Sequence, residues 1–118
     1  RRGLVDDRAF ALSLCKRLRR RGSSARRIRA GLIGRGVSDE LADEVLGCEA
    51  GETPDLVAAC RYARRRRLGP YRGVERHERD LAALARAGFS RDIADRVLGA
   101  EDPEALDDII EASEGRDA

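Results

Sequence analysis

Aromatic side chains are scarce in this chain of 118 residues, which contains two Phe, two Tyr and no Trp. A core must therefore be built from Leu, Ile, Val and Ala, in a composition where helix formers dominate. No apolar run approaches the roughly 18 residues of a membrane-spanning helix, and no signal peptide is recognisable. The length suits one small domain or a few small helical units.

Residues that could bind a metal or perform catalysis are equally few. The three cysteines, Cys15, Cys48 and Cys60, lack CxxC spacing, and the single histidine, His77, cannot complete a standard zinc site with them. No nucleophile is matched to a base and an orienting group, and no Gly-rich phosphate loop follows a strand. We therefore expect no enzyme, no metal and no cofactor, and we expect each cysteine to be a buried, reduced thiol of a cytoplasmic protein.

Charge is abundant and alternates in blocks, although the net charge is only +2. Residues 1–36 hold 12 basic and 2 acidic side chains, and residues 61–79 hold 8 basic and 2 acidic ones. Residues 37–60 hold 7 acidic side chains and no basic one, and residues 80–118 hold 11 acidic and 4 basic ones. A charge distribution of this kind usually serves binding partners rather than the fold.

One short sequence occurs twice. Residues 36–47 read GVSDELADEVLG and residues 88–99 read GFSRDIADRVLG, and 7 of the 12 positions are identical. The pattern predicts that each first glycine ends a helix, that Ser38 and Ser90 cap the next helix, and that the shared apolar residues form its buried face. The packing and capping residues repeat, whereas the charged residues between them vary.

The periodicity predicts helices over about 7–21, 25–35, 39–46, 55–68, 75–87 and the second copy of the repeated sequence, followed by a short helix that Asp102 caps and Pro103 begins. Residues 1–47 then form one three-helix repeat, residues 48–99 form a second one with a longer loop, and residues 100–118 form a short C-terminal helix and a tail that is disordered from Ser113. Phe10 and Ile33 belong to the predicted apolar faces. We expect an all-α fold of tandem three-helix repeats in an open, elongated array.

Two basic clusters are candidates for binding a partner. Four consecutive arginines at residues 64–67 wrap around a helix, so they cannot all contact one partner. As groups, the clusters fit an acidic protein surface or nucleic-acid phosphate, and solvated helix faces remain the alternative. The candidate residues are Lys16, Arg17, Arg20, Arg21, Arg26, Arg27, Arg64, Arg65, Arg67 and Arg72.

A DNA-binding helix-turn-helix is a second interpretation of the repeated sequence. The helix that would read the DNA carries Asp39, Glu40, Asp43 and Glu44 and no cation, so phosphates would repel it. The position four residues before the glycine is Leu32 in one copy and Leu84 in the other, where a tight turn generally needs a small residue. Both observations count against this interpretation.

Taken together, several motifs resemble the RecX family of bacterial regulators. They are GLVDDRAFA at residues 3–11, RLRRRG at 17–22, RRIRAGLIGRGVSDEL at 26–41, RRRLGPYR at 65–72 and GFSRDIADRVL at 88–98. The resemblance covers residues 3 to about 99 and rests on the order and spacing of the motifs. It implies tandem three-helix repeats in a curved, elongated molecule, binding to the RecA recombinase filament in its helical groove, and restraint of strand exchange, ATP hydrolysis and coprotease activity. The mixed charge of the chain fits contacts with both protein and single-stranded DNA backbone in that groove.

Two features depart from the family pattern. The family usually has three repeats and we count two, so an N-terminal repeat is either missing from this chain or absent from the natural protein. The second helix also carries Gly31 and Gly34 where the family tends to have stronger helix formers. We expect a monomeric RecA modulator, and the alternatives are a general nucleic-acid-binding helical protein and a helical adaptor for another acidic protein.

Overall fold

The computed structural model describes residues 7–49, 53–73 and 77–117, and this part of the chain contains α-helices, one 3₁₀ turn and no strand. The all-α prediction is confirmed. The helices are α1 (Asp7–Arg20), α2 (Ala25–Gly34), α3 (Asp39–Gly47), α4 (Pro54–Arg66), α5 (His77–Arg86), α6 (Arg91–Leu98) and α7 (Pro103–Asp117), and the 3₁₀ turn (Gly69–Tyr71) follows α4.

Serine side chains begin three of the helices. The hydroxyl oxygens of Ser24, Ser38 and Ser90 accept hydrogen bonds from backbone N–H groups three residues further on, at 3.2, 3.1 and 3.3 Å. Each hydroxyl satisfies one amide that has no partner within its helix. The caps at Ser38 and Ser90 and the cap at Asp102, which accepts from the Ala105 N–H at 2.9 Å, are confirmed. The cap expected at Asp6 lies outside the described residues.

The described helices form two separate apolar cores. Helices α1, α2 and α3, here called unit 1, bury a cluster that includes Leu14, Ile28 and Val45. Helices α4, α5 and α6, here called unit 2, bury a second cluster around Phe89. Helix α7 contributes Leu106 and Ile110 to the core of unit 2. The two repeated sequences therefore supply the same part of two similar units.

The structure differs from the sequence-based expectation in two places. Helix α7 continues to Asp117, so the predicted disorder from Ser113 is wrong, and an ion pair between Arg61 and Glu114 at 3.5 Å holds its later turns against α4. Phe10 and Ile33 are 38% and 37% exposed and do not belong to the core. Each lies one position beside a fully buried residue, which turns it about 100° away from the buried face of its helix.

Unit 2 packs directly against the turn between α1 and α2. The radius of gyration is 15.2 Å and the principal extents are 51 × 29 × 19 Å. A compact globule of this length has a radius of gyration of about 13.5 Å. The radius is only slightly above that of a compact globule although the longest extent is 51 Å, so the molecule is compact rather than clearly elongated, and the predicted open array overstates the separation of the units. The packing of α7 along α4 and of α4 against α1 accounts for this difference.

Ser24 has a second function that Ser38 lacks, because its buried hydroxyl also donates to the Ala87 carbonyl of unit 2 at 2.7 Å. We expect Ser38→Ala to destabilise the fold by about 0.5–2 kcal/mol. Ser24→Ala should cost about 1–3 kcal/mol more, since it leaves a buried carbonyl without a partner. Urea unfolding followed by helical circular dichroism measures both, and equal costs would show that the bond to Ala87 adds nothing.

Candidate partner-binding surface

Acidic side chains of unit 1 are largely neutralised within the unit. Arg29 of α2 donates to Asp43 of α3 at 2.7 Å and lies 3.9 Å from Asp39, and Arg8 pairs with Glu44. The hydrogen bond from Arg29 lowers the pKa of Asp43. Helix α3 therefore presents much less negative charge to solvent than its sequence suggests, and the unpaired cations determine the electrostatic field of unit 1.

Eight of the ten candidate cations are exposed and form no ion pair with an acid among the described residues. They occupy the second half of α1 and the residue after it, the start of α2, and the end of α4 and the residue after it. They are Lys16, Arg17, Arg20, Arg21, Arg26, Arg27, Arg65 and Arg67. Of the remaining two, Arg64 binds an acid of α7 and Arg72 binds an acid of unit 2. A partner-binding role for any of the ten stays a prediction.

Arg72 and Arg64 have clear structural contacts. Asp80 is 1% exposed, accepts from the Gly69 N–H at 2.7 Å and pairs with Arg72, so it anchors the 3₁₀ turn to α5. Asp107 of α7 accepts from Tyr71 at 2.6 Å and from Arg64 at 3.4 Å. Burial and the bond to Asp107 both raise the pKa of the Tyr71 hydroxyl. These two arginines are consequently less available to a partner than the other eight.

The two units meet at the turn between α1 and α2. A Cβ atom added at Gly22 would lie 2.8 Å from the Tyr62 backbone nitrogen, so only glycine lets α4 approach this closely. Gly88 fits in the same way against Ser24 and lies next to Arg26. Both glycines have positive φ, 92° and 97°, which other residues rarely adopt. The contact therefore depends on glycine for two reasons, conformation and space.

Arginines from both units surround this contact. The guanidinium of Arg66 lies 5.3 Å from the centre of the Tyr62 ring, and that ring is 6.0 Å from the Phe89 ring. Arg27 of α2 donates to the Arg86 carbonyl of α5 at 3.3 Å, which joins the units at their surface. We call the exposed set around the contact the junction surface, and it comprises Arg21, Arg26, Arg27, Arg66 and Arg86.

The junction surface has no neutralising acid among the described residues. None of its five arginines forms an ion pair with another described residue, and Arg27 donates to the backbone carbonyl of Arg86, another arginine. Like charges on one surface repel one another, and an anionic partner relieves that repulsion. Guanidinium groups bind carboxylate and phosphate through two parallel hydrogen bonds. The surface is therefore suited to an acidic protein or to a phosphate backbone.

Two members of the junction surface were not among the predicted candidates. Arg66 belongs to the run at residues 64–67, and its position over Tyr62 separates it from its neighbours. Arg86 is an isolated arginine, and its contact with Arg27 spans 59 residues of chain. The sequence contains no local pattern that would place Arg66 and Arg86 on the same surface.

The three cysteines of the described residues differ in their burial. Cys15 and Cys60 are buried as predicted, and burial raises the pKa of each thiol to about 11. Cys48 is exposed, so the prediction for it is wrong, because it follows the last turn of α3 and lies beyond the core. Within the described ranges no group of side chains could hold a metal ion, and no helix is long and apolar enough to cross a membrane.

Fold and surface together define an all-α protein of three-helix units with an uncompensated basic surface where the units meet. Residues 6–46 match the family profile described as RecX, second three-helix domain. The chain is 41% identical over 103 residues to Regulatory protein RecX of Myxococcus xanthus, a match that covers 83% of this chain and 55% of that protein. It is 38% identical over 112 residues to Regulatory protein RecX of Agrobacterium fabrum, covering 92% and 59%.

The chain is therefore similar to RecX proteins over most of its length, and its residues 6–46 match the second domain of that family, as its motifs predicted. No solved structure matches it. The chain spans little more than half the length of the curated relatives that it matches. The family profile for the second domain coincides with unit 1.

The repeat provides a matched pair of glycines for testing the contact between the units. Gly36 and Gly88 both have positive φ, but a Cβ at Gly36 meets nothing within 4 Å, whereas one at Gly88 overlaps Ser24. We expect Gly36→Ala to cost about 1–2 kcal/mol from backbone strain alone. Gly88→Ala should cost roughly 1–3 kcal/mol more, because it also disrupts the buried Ser24 bond. Urea unfolding of both variants decides this, and equal losses would contradict the close approach of the units.

Thiol reactivity should separate the three cysteines. Cys48 is exposed, whereas Cys15 and Cys60 are buried with pKa values of about 11. A disulfide reagent at pH 8 should modify one thiol rapidly in the native protein and the other two only in denaturant. Mass spectrometry should locate the rapid modification at Cys48. Rapid modification of a second cysteine in the native protein would contradict the described packing.

Proposed function

We propose that the chain is a non-enzymatic regulator that binds the RecA recombinase filament in the cytoplasm and modulates its recombinase, ATPase and coprotease activities. This activity belongs to DNA recombination, DNA repair and the SOS response. The proposal rests on the similarity to RecX proteins, together with what the family resemblance implies about RecA. The chain acts as a monomer and needs no cofactor. Within the filament, it contacts single-stranded DNA only at the sugar-phosphate backbone of the DNA.

The junction surface is the observation that carries the proposal. Its arginines come from the residue after α1 and from α2, α4 and α5, and they have no acidic partner among the described residues. A filament of protein on DNA offers carboxylates and phosphates close together, and a guanidinium binds both in the same geometry. The other predicted cations, Lys16, Arg17, Arg20, Arg65 and Arg67, extend this surface along α1 and α4.

General nucleic-acid binding is the second candidate, because the same arginines suit a phosphate backbone. Aromatic stacking platforms give single-strand binders much of their affinity. Tyr62 is 8% exposed and lies beneath Arg66, so its ring is not available to stack on a base. A binder that relies on phosphate alone would show a steep salt dependence and no preference between filament and bare strand. This difference separates the two functions.

Charge removal at the junction surface tests the proposal. A triple variant, Arg26→Gln, Arg66→Gln and Arg86→Gln, removes three exposed cations. It keeps the contact between Arg27 and residue 86, because Arg27 donates to the backbone carbonyl there and not to the side chain. We expect its affinity for RecA filaments on single-stranded DNA to fall by about tenfold or more, since charge-assisted hydrogen bonds are about twice as strong as neutral ones. Inhibition of DNA-dependent ATP hydrolysis by RecA should weaken in parallel.

A matched control removes the same charge elsewhere on the molecule. The control triple, Arg35→Gln, Arg79→Gln and Arg91→Gln, changes exposed arginines outside the junction surface, and its affinity should stay within about twofold of the wild type. Wild-type binding to bare single strands should be weaker than binding to the filament at physiological salt. Equal losses in both triples would disprove a local binding surface, and equal affinity for filament and bare strand would favour general nucleic-acid binding.

A further inference from the structure

Arg19 is the most deeply engaged cation of unit 1. Its side chain is 12% exposed and lies in the last turn of α1. Its Nε and Nη2 donate to the two carboxylate oxygens of Glu49 at 2.6 and 2.7 Å, and its Nη1 donates to Asp55 at 2.6 Å and to the Ser23 carbonyl at 3.0 Å. All three nitrogens of the guanidinium are therefore engaged within the protein.

These bonds join elements of both units. Glu49 follows α3 of unit 1, whereas Asp55 lies in the first turn of α4 and so belongs to unit 2. Asp55 also accepts from the Ala25 N–H, at the first residue of α2, at 2.9 Å. One largely buried guanidinium thus connects the end of α1, the segment that follows α3 and the beginning of α4. A buried ion pair that loses one partner is strongly destabilised, because the remaining charge has no compensation.

A weaker copy of this contact lies at the other end of unit 2. Arg19 follows the buried Cys15 by four residues, and Arg64 follows the buried Cys60 by four residues. Arg19 reaches Asp55 on α4, the first helix of the next unit, and Arg64 reaches Asp107 on α7, the helix after unit 2. The copies differ in strength, because Arg64 is 48% exposed and makes a single contact at 3.4 Å.

We propose that Arg19 is a positioning residue for the junction surface: it fixes the orientation of unit 2 on unit 1 and thereby brings the arginines of both units together. Arg26 and Arg27 are carried by α2, whereas Arg66 and Arg86 are carried by α4 and α5. A rotation of unit 2 about the turn between α1 and α2 would separate these two groups. The part of the inference that concerns binding rests on the proposed function, and the part that concerns orientation does not.

The orientation is measured directly by the distance between two spin labels. Labels at Glu40→Cys in α3 and Asp92→Cys in α6 occupy equivalent exposed positions of the two units. A Cys48→Ser background removes the exposed native thiol, and Cys15 and Cys60 are buried. Arg19→Gln in this background should broaden the distance distribution and shift it to larger values, with helical circular dichroism unchanged. Its affinity for the RecA filament should fall by about tenfold, which corresponds to about 1.4 kcal/mol.

Three further variants separate positioning from general stability. Arg29→Gln removes an arginine that also contacts two acids but is more exposed and lies wholly within unit 1, so distances and affinity should stay at their wild-type values. Arg64→Gln removes the weaker copy and should leave the label distances at their wild-type values, since α7 carries neither a label nor a junction arginine; the affinity of this variant is not part of the comparison, because Arg64 is itself a candidate partner-binding residue. Arg19→Lys keeps the charge but loses the fork that bridges two carboxylates, and it should give intermediate distances and affinity.

Each outcome supports or overturns the inference. Wild-type distances in Arg19→Gln would overturn the role in orientation, and altered distances with wild-type affinity would overturn the role in positioning the binding surface. If the wild type does not bind the filament, the proposed function fails while the distances still decide the orientation. If Arg19→Gln does not fold, Glu49→Gln and Asp55→Asn each remove one arm of the contact, and wild-type distances in both would overturn the inference.

Discussion

The close approach of unit 2 to the turn between α1 and α2 is the contact on which the rest of the arrangement depends. Gly22 admits the backbone of α4, and Ser24 binds the Ala87 carbonyl while it caps α2. A single serine thus begins a helix and joins two cores, so helix formation and the packing of the units are coupled. The arginines become one surface only because this contact brings α2, α4 and α5 together.

Charge in this protein follows a simple division. Acids that face a cation across a unit or between units are neutralised there, as Asp43, Glu49 and Asp107 are. Many of the cations left over lie where the units meet, although Arg35 and Arg79 lie elsewhere, and the acids left over lie mainly on α6, on α7 and on the residues between them. The net charge of +2 therefore describes neither end of the molecule. A partner with complementary charge would contact the junction surface through its acidic groups.

Local features of the fold could be predicted from the sequence, and contacts between units could not. Ser38, Ser90 and Asp102 act on amides within three residues, so their residue type and spacing are sufficient to identify them as caps. In the sequence Arg19 is one of several arginines at a helix end, yet its side chain is only 12% exposed because of acids that lie 30 and 36 residues away. The contact between Arg27 and Arg86 depends on the rotation between two units, which no periodicity within a helix specifies.

The repeated sequence shows how different charges can serve the same fold. Asp39 and Asp43 of the first copy both face Arg29, whereas the second copy has Arg91 and Asp95 at these positions. The position equivalent to Arg29, 52 residues later, is Leu81, which packs against the core of unit 2 and can neutralise no acid. Arg91 therefore takes over this role and pairs with Asp95 one turn away on α6, at 3.2 Å. The charges of the two copies differ because the neighbouring helix differs, while the serine cap and the buried residues, which face the same surroundings in both units, are retained.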